Sequence, residues 1–258
     1  MYKKDSDCIV TISLETEKKN LDSLNHCFDK ILLGYVEKLE NDTELKGIII
    51  TSTEDSFLAK YDIENLFDLE KPDICFEYIE NQKSILRRIE KLKVPVVAAI
   101  NGSSFGIGME LALACNHRIG TQKESTRFEF SEVKYGILPG YGGIIRLIRT
   151  MGIEKSLKLL LGGNQFNVKE AIDIGFLDEL ASSYQEMIEK SVEWIKSNQN
   201  IVQPWDQKNF TLPEGNAHEG ENANLISLYP AIIRKKTKGN FPAPEAILSI
   251  ACLLYTSD

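Results

Sequence analysis

Apolar residues recur along the chain with two different periods, and the changes of period mark alternating strands and helices. Cys8, Val10, Ile12 and Leu14 alternate with other residues, which predicts a first strand with one buried face. Beyond a charged turn at 15–20, the positions Leu24, Cys27, Phe28, Ile31, Leu32, Tyr35, Val36 and Leu39 follow helical spacing, with Asp22 a candidate cap. GIIITS at 47–52 is short and apolar throughout most of its length, as in a strand covered on both faces. Residues 53–72 read as irregular. Phe76, Ile79, Leu86, Ile89 and Leu92 then form the apolar stripe of a second helix, and its charged residues Glu77, Glu80, Lys83, Arg87, Arg88, Glu90 and Lys91 are expected to face water. Strands alternating with helices predict an α/β fold.

The stretch from Val94 to Gly143 organises the rest. A β-branched run (Val94, Val96, Val97, Ile100) meets a glycine-rich turn, and that turn opens an Ala/Leu/Met-rich helix over about 106–115. Shorter helices are predicted over 143–151, 153–161, 168–174 and 184–197, separated at Gly152, Gly162, Gly163 and Gly175. Residues 199–223 turn polar and Pro/Gly-punctuated, like a surface arm or linker. Further helical patterns follow over 224–236 and 245–254. The expected organisation is therefore a core at 1–198, an arm at 199–223 and a helical segment at 224–258.

Composition narrows the function classes. A net charge of −8 over 258 residues argues against nucleic acid or an anionic membrane as the main partner. The N-terminus, MYKKDSDCIV, is too polar for a secretory signal, and no 18-residue apolar run is present, so a cytoplasmic protein without a membrane span is expected. Cys8, Cys27, Cys75, Cys115 and Cys252 show no C-x-x-C spacing and read as buried free thiols in a reducing compartment.

Two carboxylates stand out in the central stretch: Glu110 near the start of the helix and Glu132 just after Phe128 and Phe130. A pair of acids beside a turn rich in free backbone N–H groups can move protons while the amides hold a developing anion. Each also has a bland reading, Glu110 as a helix-dipole residue and Glu132 as a surface one. Other motifs fail. From Gly106 the third position of a dinucleotide fingerprint is Leu111, and no P-loop Lys follows Gly102. Gly102–Gly106 does match G-x-S-x-G with Ser104 at its centre, but no HGGG-type segment precedes it, and His218 lies in the polar arm. His26 and His117 stand singly, and no spacing suggests a metal site.

At these residues the chain resembles the crotonase superfamily, the enoyl-CoA hydratase/isomerase family. PVVAAINGSSFGIGMELALACNHRIG is similar to the family's strand, glycine-rich turn and catalytic helix, whose glutamate falls on Glu110. FSEVKYGILPGYGG resembles its P-E-x-x-x-G-x-x-P-G-x-G-G block, whose glutamate falls on Glu132, and SFLAKYDI after KGIIITS resembles the F-x-A-G-A-D segment. The resemblance runs from about residue 8 to 197. It implies a ββα spiral with C-terminal helices and an acyl-CoA substrate. LISLYPAIIRKKTKGNFPAPEAILSI further resembles the segment that leads from hydratase to dehydrogenase in multifunctional fatty-acid oxidation enzymes. On that resemblance the chain is expected to be the N-terminal hydratase/isomerase part of such an enzyme, as a homo-oligomer or docked to dehydrogenase or thiolase parts.

The resemblance also implies roles. The backbone N–H groups of Tyr61 and Ile107 would form an oxyanion hole for the thioester carbonyl. Glu110 would deprotonate water, and Glu132 would deliver a proton to C2. Ala59, Lys60, Asp62, Phe105, Gly106, Leu138, Pro139 and Gly140 would line the substrate site, with Phe128 and Tyr141 adding apolar wall. Two carboxylates suffice for syn addition, so neither a metal nor a cofactor is implied beyond the coenzyme A of the substrate. Lys60 departs from the pattern, standing where the family segment carries Gly; Tyr61 and Ile107 are bulkier than usual but would act through the backbone. The expected reaction is hydration of trans-2-enoyl-CoA in fatty-acid β-oxidation. The alternatives are Δ3-Δ2 isomerisation or a non-catalytic CoA-binding module.

Overall fold

A computed structural model of the chain describes residues 1–14, 24–52, 55–58 and 72–254. Among them the strands are β1 (Tyr2–Lys4), β2 (Ile9–Leu14), β3 (Gly47–Ser52), β4 (Val96–Ile100), β5 (Ser104–Phe105), β6 (His117–Thr121), β7 (Phe128–Glu129) and β8 (Glu179–Ala181). The helices are α1 (Leu24–Glu40), α2 (Pro72–Glu90), α3 (Ile107–Ala114), α4 (Gly143–Met151), α5 (Ile153–Gly162), α6 (Val168–Asp173), α7 (Tyr184–Ser197), α8 (Gly220–Thr237) and α9 (Pro242–Leu253).

The main sheet runs β1-β2-β3-β4-β6-β8, parallel throughout except for the antiparallel edge pair β1–β2. Alternation along its strands fills two cores. Ile48 and Ile50 of β3 join the large one, while Ile49 joins Ile9, Val97, Ala99 and Ile119 under α7, whose Met187 and Ile195 close that face. Both faces of β3 are therefore covered, as its uninterrupted apolar sequence requires.

After each central strand the chain turns through a second, smaller layer. β5 and β7 pair in parallel, Ser56 bridges to Ser103, and Phe57 N–H donates to the Ser103 carbonyl at 2.7 Å. Strand, short strand and helix thus repeat as a spiral: β4, β5 and α3 form one turn, and β6, β7 and α4 the next. This is the α/β class read from periodicity, in the ββα arrangement that the resemblance implies.

The structure departs from the sequence reading at several positions. The first strand of the sheet is β1, a polar edge segment that periodicity does not reveal. In α2 the buried face runs through Tyr78, Gln82, Ile85, Leu86 and Ile89, leaving Phe76 exposed. Glu90, expected in water, is buried in ion pairs. Cys115 is buried, whereas Cys8 and Cys252 are only partly covered; the side chains of Cys27 and Cys75, like Asp22, lie outside the described residues. The segment 199–219 packs on the core. Gln203 Nε2 donates to the Ala114 carbonyl at 2.9 Å, satisfying an orphan acceptor at the end of α3, and Leu212 and Ala217 are buried.

Candidate active site

Local sequence explains how Glu110 reaches the interior. The helix α3 carries IGMELALA and is buried on nearly every side, so a carboxylate in its first turn has no route to water. Its N-cap is Gly106, at φ +50°. Gly108 lets the helix start touch the segment ahead of residue 59: a Cβ there would come within 2.6 Å of the Phe57 carbonyl oxygen and 2.9 Å of that of Leu58. Leu58 itself is buried in the left-handed region at φ +52°, an uncommon and strained conformation for a branched side chain. At the first helical position, the Ile107 N–H has no intrahelical acceptor.

The second acid arrives from the neighbouring turn of the spiral. A 3-10 helix at Glu132–Tyr135 ends in left-handed Gly136, and the following chain curls through 137–142 into α4. Glu132 is fully enclosed, and among the described residues neither of its carboxylate oxygens meets another residue's donor. By contrast, Oε2 of Glu110 accepts the Gly143 N–H at 2.5 Å. That contact needs glycine, because a Cβ on residue 143 would lie 2.7 Å from Glu110 Cγ and Oε2.

Burial sets the electrostatics. Desolvation raises Glu110 to about 8; the charge of Glu132 adds to this, while the Gly143 amide, Arg146 and the Tyr141 amide oppose it. Desolvation likewise raises Glu132 to about 7, with Glu129 contributing in the same direction. The charge of Glu132 is one cause of the rise at Glu110, so the two carboxyls are coupled and both change protonation near neutrality.

Of the residues singled out in sequence, Glu110 and Glu132 come within Coulombic range of one another, with Ile107 three residues before the first. Phe105, Leu138 and Gly140 are half-buried around the same turns, and Gly106 and Pro139 are buried. Tyr141 is buried beside them. Phe128 instead packs into an aromatic trio with Phe166 and Phe176, at centroid distances of 5.5 and 5.3 Å. Ala59, Lys60, Tyr61 and Asp62 lie outside the described residues. Sequence reasoning missed Arg146 and Glu90, whose ion pair lies behind the 141–143 turn; an arginine among the apolar positions Ile144, Leu147 and Ile148 was the available signal. Ser104 is buried against Gly108 rather than presented at an elbow, and His218 lies exposed in a loop. A cavity of about 430 Å³ opens elsewhere, at the carboxyl ends of β3, β4 and β6; it is lined by Ser52, Asn101, Thr121 and Ser182 among others, and neither glutamate borders it.

The ββα spiral, with two buried acids on successive turns, defines a protein of the crotonase superfamily. The model of the enoyl-CoA hydratase/isomerase family matches residues 4–204, and the chain belongs to that family. It is similar to solved enoyl-CoA hydratases from Bacillus anthracis (25% identity, TM-score 0.67, 76% of this chain and 75% of that one) and Geobacillus kaustophilus (27%, 0.67, 75% and 72%). An enoyl-CoA hydratase structure from Mycobacterium smegmatis shares the fold at 16% identity (TM-score 0.68, 76% and 75%). No helix among the described residues is long and apolar enough to cross a membrane, and no group of three or more His, Cys, Asp or Glu among them could hold a metal ion.

Proposed function

We propose that the chain hydrates trans-2-enoyl-CoA to 3-hydroxyacyl-CoA. The observation that carries this reading is the buried pair itself: one carboxylate held by a backbone amide, the other meeting no outside donor among the described residues, both changing protonation near neutrality. Glu110 takes a proton from water as the water oxygen bonds to C3. The C2–C3 π electrons move toward the thioester, and the charge on its oxygen is held by Ile107 N–H and, by resemblance, Tyr61 N–H. The C2 carbon of the enolate then takes the proton of Glu132, so the elements of water are added in balance. Two acids on one side of the substrate suit syn addition, and the mechanism calls for no metal or further cofactor. The same reading places the reaction in fatty-acid β-oxidation, with the segment after 224 leading toward partner activities.

The test is loss of the conjugated thioester's absorbance when crotonyl-CoA is supplied. Wild-type protein is expected to turn over, and Glu110→Gln and Glu132→Gln each to lose at least about 10²-fold in kcat with CoA-ester binding retained. Near-wild-type turnover in either variant overturns the assignment. Isomerisation of a 3-enoyl-CoA without hydration would make the chain an isomerase, and binding without either reaction would make it a CoA-binding module.

A further inference from the structure

Behind Glu110 lies a set of charges that the proposed chemistry does not use. Arg146 of α4 is buried; its Nη1 donates to the Tyr141 carbonyl and its Nε to Glu90 Oε1, each at 2.6 Å. The guanidinium lies flush against the turn, where a Cβ on Gly142 would come within 2.5 Å of Nη1. The next residue of that turn, Gly143, supplies the N–H that holds Glu110. Glu90, on α2, is braced from outside: Arg87 Nη1 donates to its Oε2 at 2.8 Å, and Arg87 and Lys91 both reach Asp206 of the arm, at 3.0 and 3.1 Å. Charges therefore alternate inward as Asp206, Arg87, Glu90 and Arg146. A buried guanidinium without its carboxylate would be strongly destabilising, so Glu90 is what allows Arg146 to sit there.

We propose that Arg146, seated by Glu90, is a positioning residue for the reaction: it fixes the turn at 141–143 so that the Gly143 amide holds Glu110 in the geometry that activates water. This rests on the reading of Glu110 as the base. The placement has an electrostatic consequence as well. The charges on Glu110 are Glu132, which opposes ionisation, and Arg146, which favours it together with the amides of Gly143 and Tyr141. The groups facing Arg146 itself are Glu90, Glu110 of α3, Cys115 at that helix's end and, one turn along α4, the half-buried Arg149, which also faces Glu90, Arg87 and Asp206.

The experiment is the pH dependence of crotonyl-CoA hydration by wild type, Arg146→Met, Arg146→Lys and Glu90→Gln, each checked for folding by circular dichroism. Arg146→Met is expected to lose about tenfold to a hundredfold in kcat at pH 7 with KM nearly unchanged. The acidic limb of its kcat profile should move up by about one pH unit, so that part of the loss returns in alkali. Arg146→Lys keeps the charge but not both hydrogen bonds, and is expected to keep the limb in place while kcat stays low. Glu90→Gln should lower kcat without the upward shift, and serves if Arg146→Met does not fold. A folded Arg146→Met with an unmoved limb and wild-type kcat overturns the inference while the hydratase reading stands. A wild-type protein that does not hydrate, or a fully active Glu110→Gln, removes both.

Discussion

Glu132 is a carboxyl group that meets no outside donor among the described residues of a closed interior, and that has a cost that depends on pH. An unfolded glutamate releases its proton near 4.5, whereas the folded one keeps it to about 7. Between those values the folded state holds a proton that the unfolded chain has lost, so rising pH favours unfolding, by about 1.4 kcal/mol per pH unit for one such group. Above about 7 the loss is complete and stability no longer changes on this account. Glu132→Gln has no proton to lose. Thermal melts are expected to show it gaining on wild type as pH rises from 5 to 8, with the two nearly level at pH 5; equal melting differences at both pH values would mean that Glu132 is solvated. At this scale the sequence was informative where a residue type is rare in its setting, as with an acid inside an Ala/Leu/Met helix. It was silent about Glu90 and Arg146, because a charged residue on an amphipathic helix is taken to face water until its partner, 56 residues away, is known.

At the scale of elements, helices and strands followed from hydrophobic period, but the phase of a helix did not always. In α2 the four-residue steps from Tyr78 to Gln82 and Leu86 carry the buried face, with Ile85 and Ile89 alongside. Phe76 falls outside it despite its large apolar side chain. Hydrophobicity alone weighted Phe76 above a buried Gln82, and the true face emerges only against α1 and α3, on which α2 packs. Urea unfolding separates the two phases. Ile89→Ala is expected to cost about 2–5 kcal/mol through lost burial and the cavity left behind. Phe76→Ser, at the exposed position, should stay within about 0.5 kcal/mol of wild type. A cost for Phe76→Ser as large as that for Ile89→Ala would return Phe76 to the buried stripe read from sequence. The edge strand β1 was illegible for a simpler reason: three residues, two of them lysine, carry no period, and the antiparallel pairing of Tyr2 with Ile12 supplies the structure instead.

For the whole molecule the open question is whether the arm and C-terminal helices belong to the core's folding unit. Composition alone sets residues 199–223 apart as polar and Pro/Gly-punctuated, yet Gln203 and Asp206 tie this segment to α3 and α2, and α9 lies on α4 and α5 with Ile247 and Ala251 fully buried. The turn at 141–143 that holds Glu110 opens α4, so the same packing supports the site. The two tryptophans fall on opposite sides of this question. Trp194, in α7, stacks on His117 with ring centroids 4.4 Å apart, and Trp205 lies in the arm beside Asp206. Trp205→Phe leaves fluorescence to report on the sheet, and Trp194→Phe leaves it to report on the arm. If all these segments share one core, each variant's fluorescence transition in urea coincides with its own circular dichroism curve and with the loss of the proposed turnover. An arm that behaves as a linker would instead let Trp205 change at lower urea, before the helices melt and while the site still works. The buried contacts at both ends of the arm favour a single transition, because releasing Asp206 also frees the Arg87–Glu90–Arg146 chain that braces the catalytic turn.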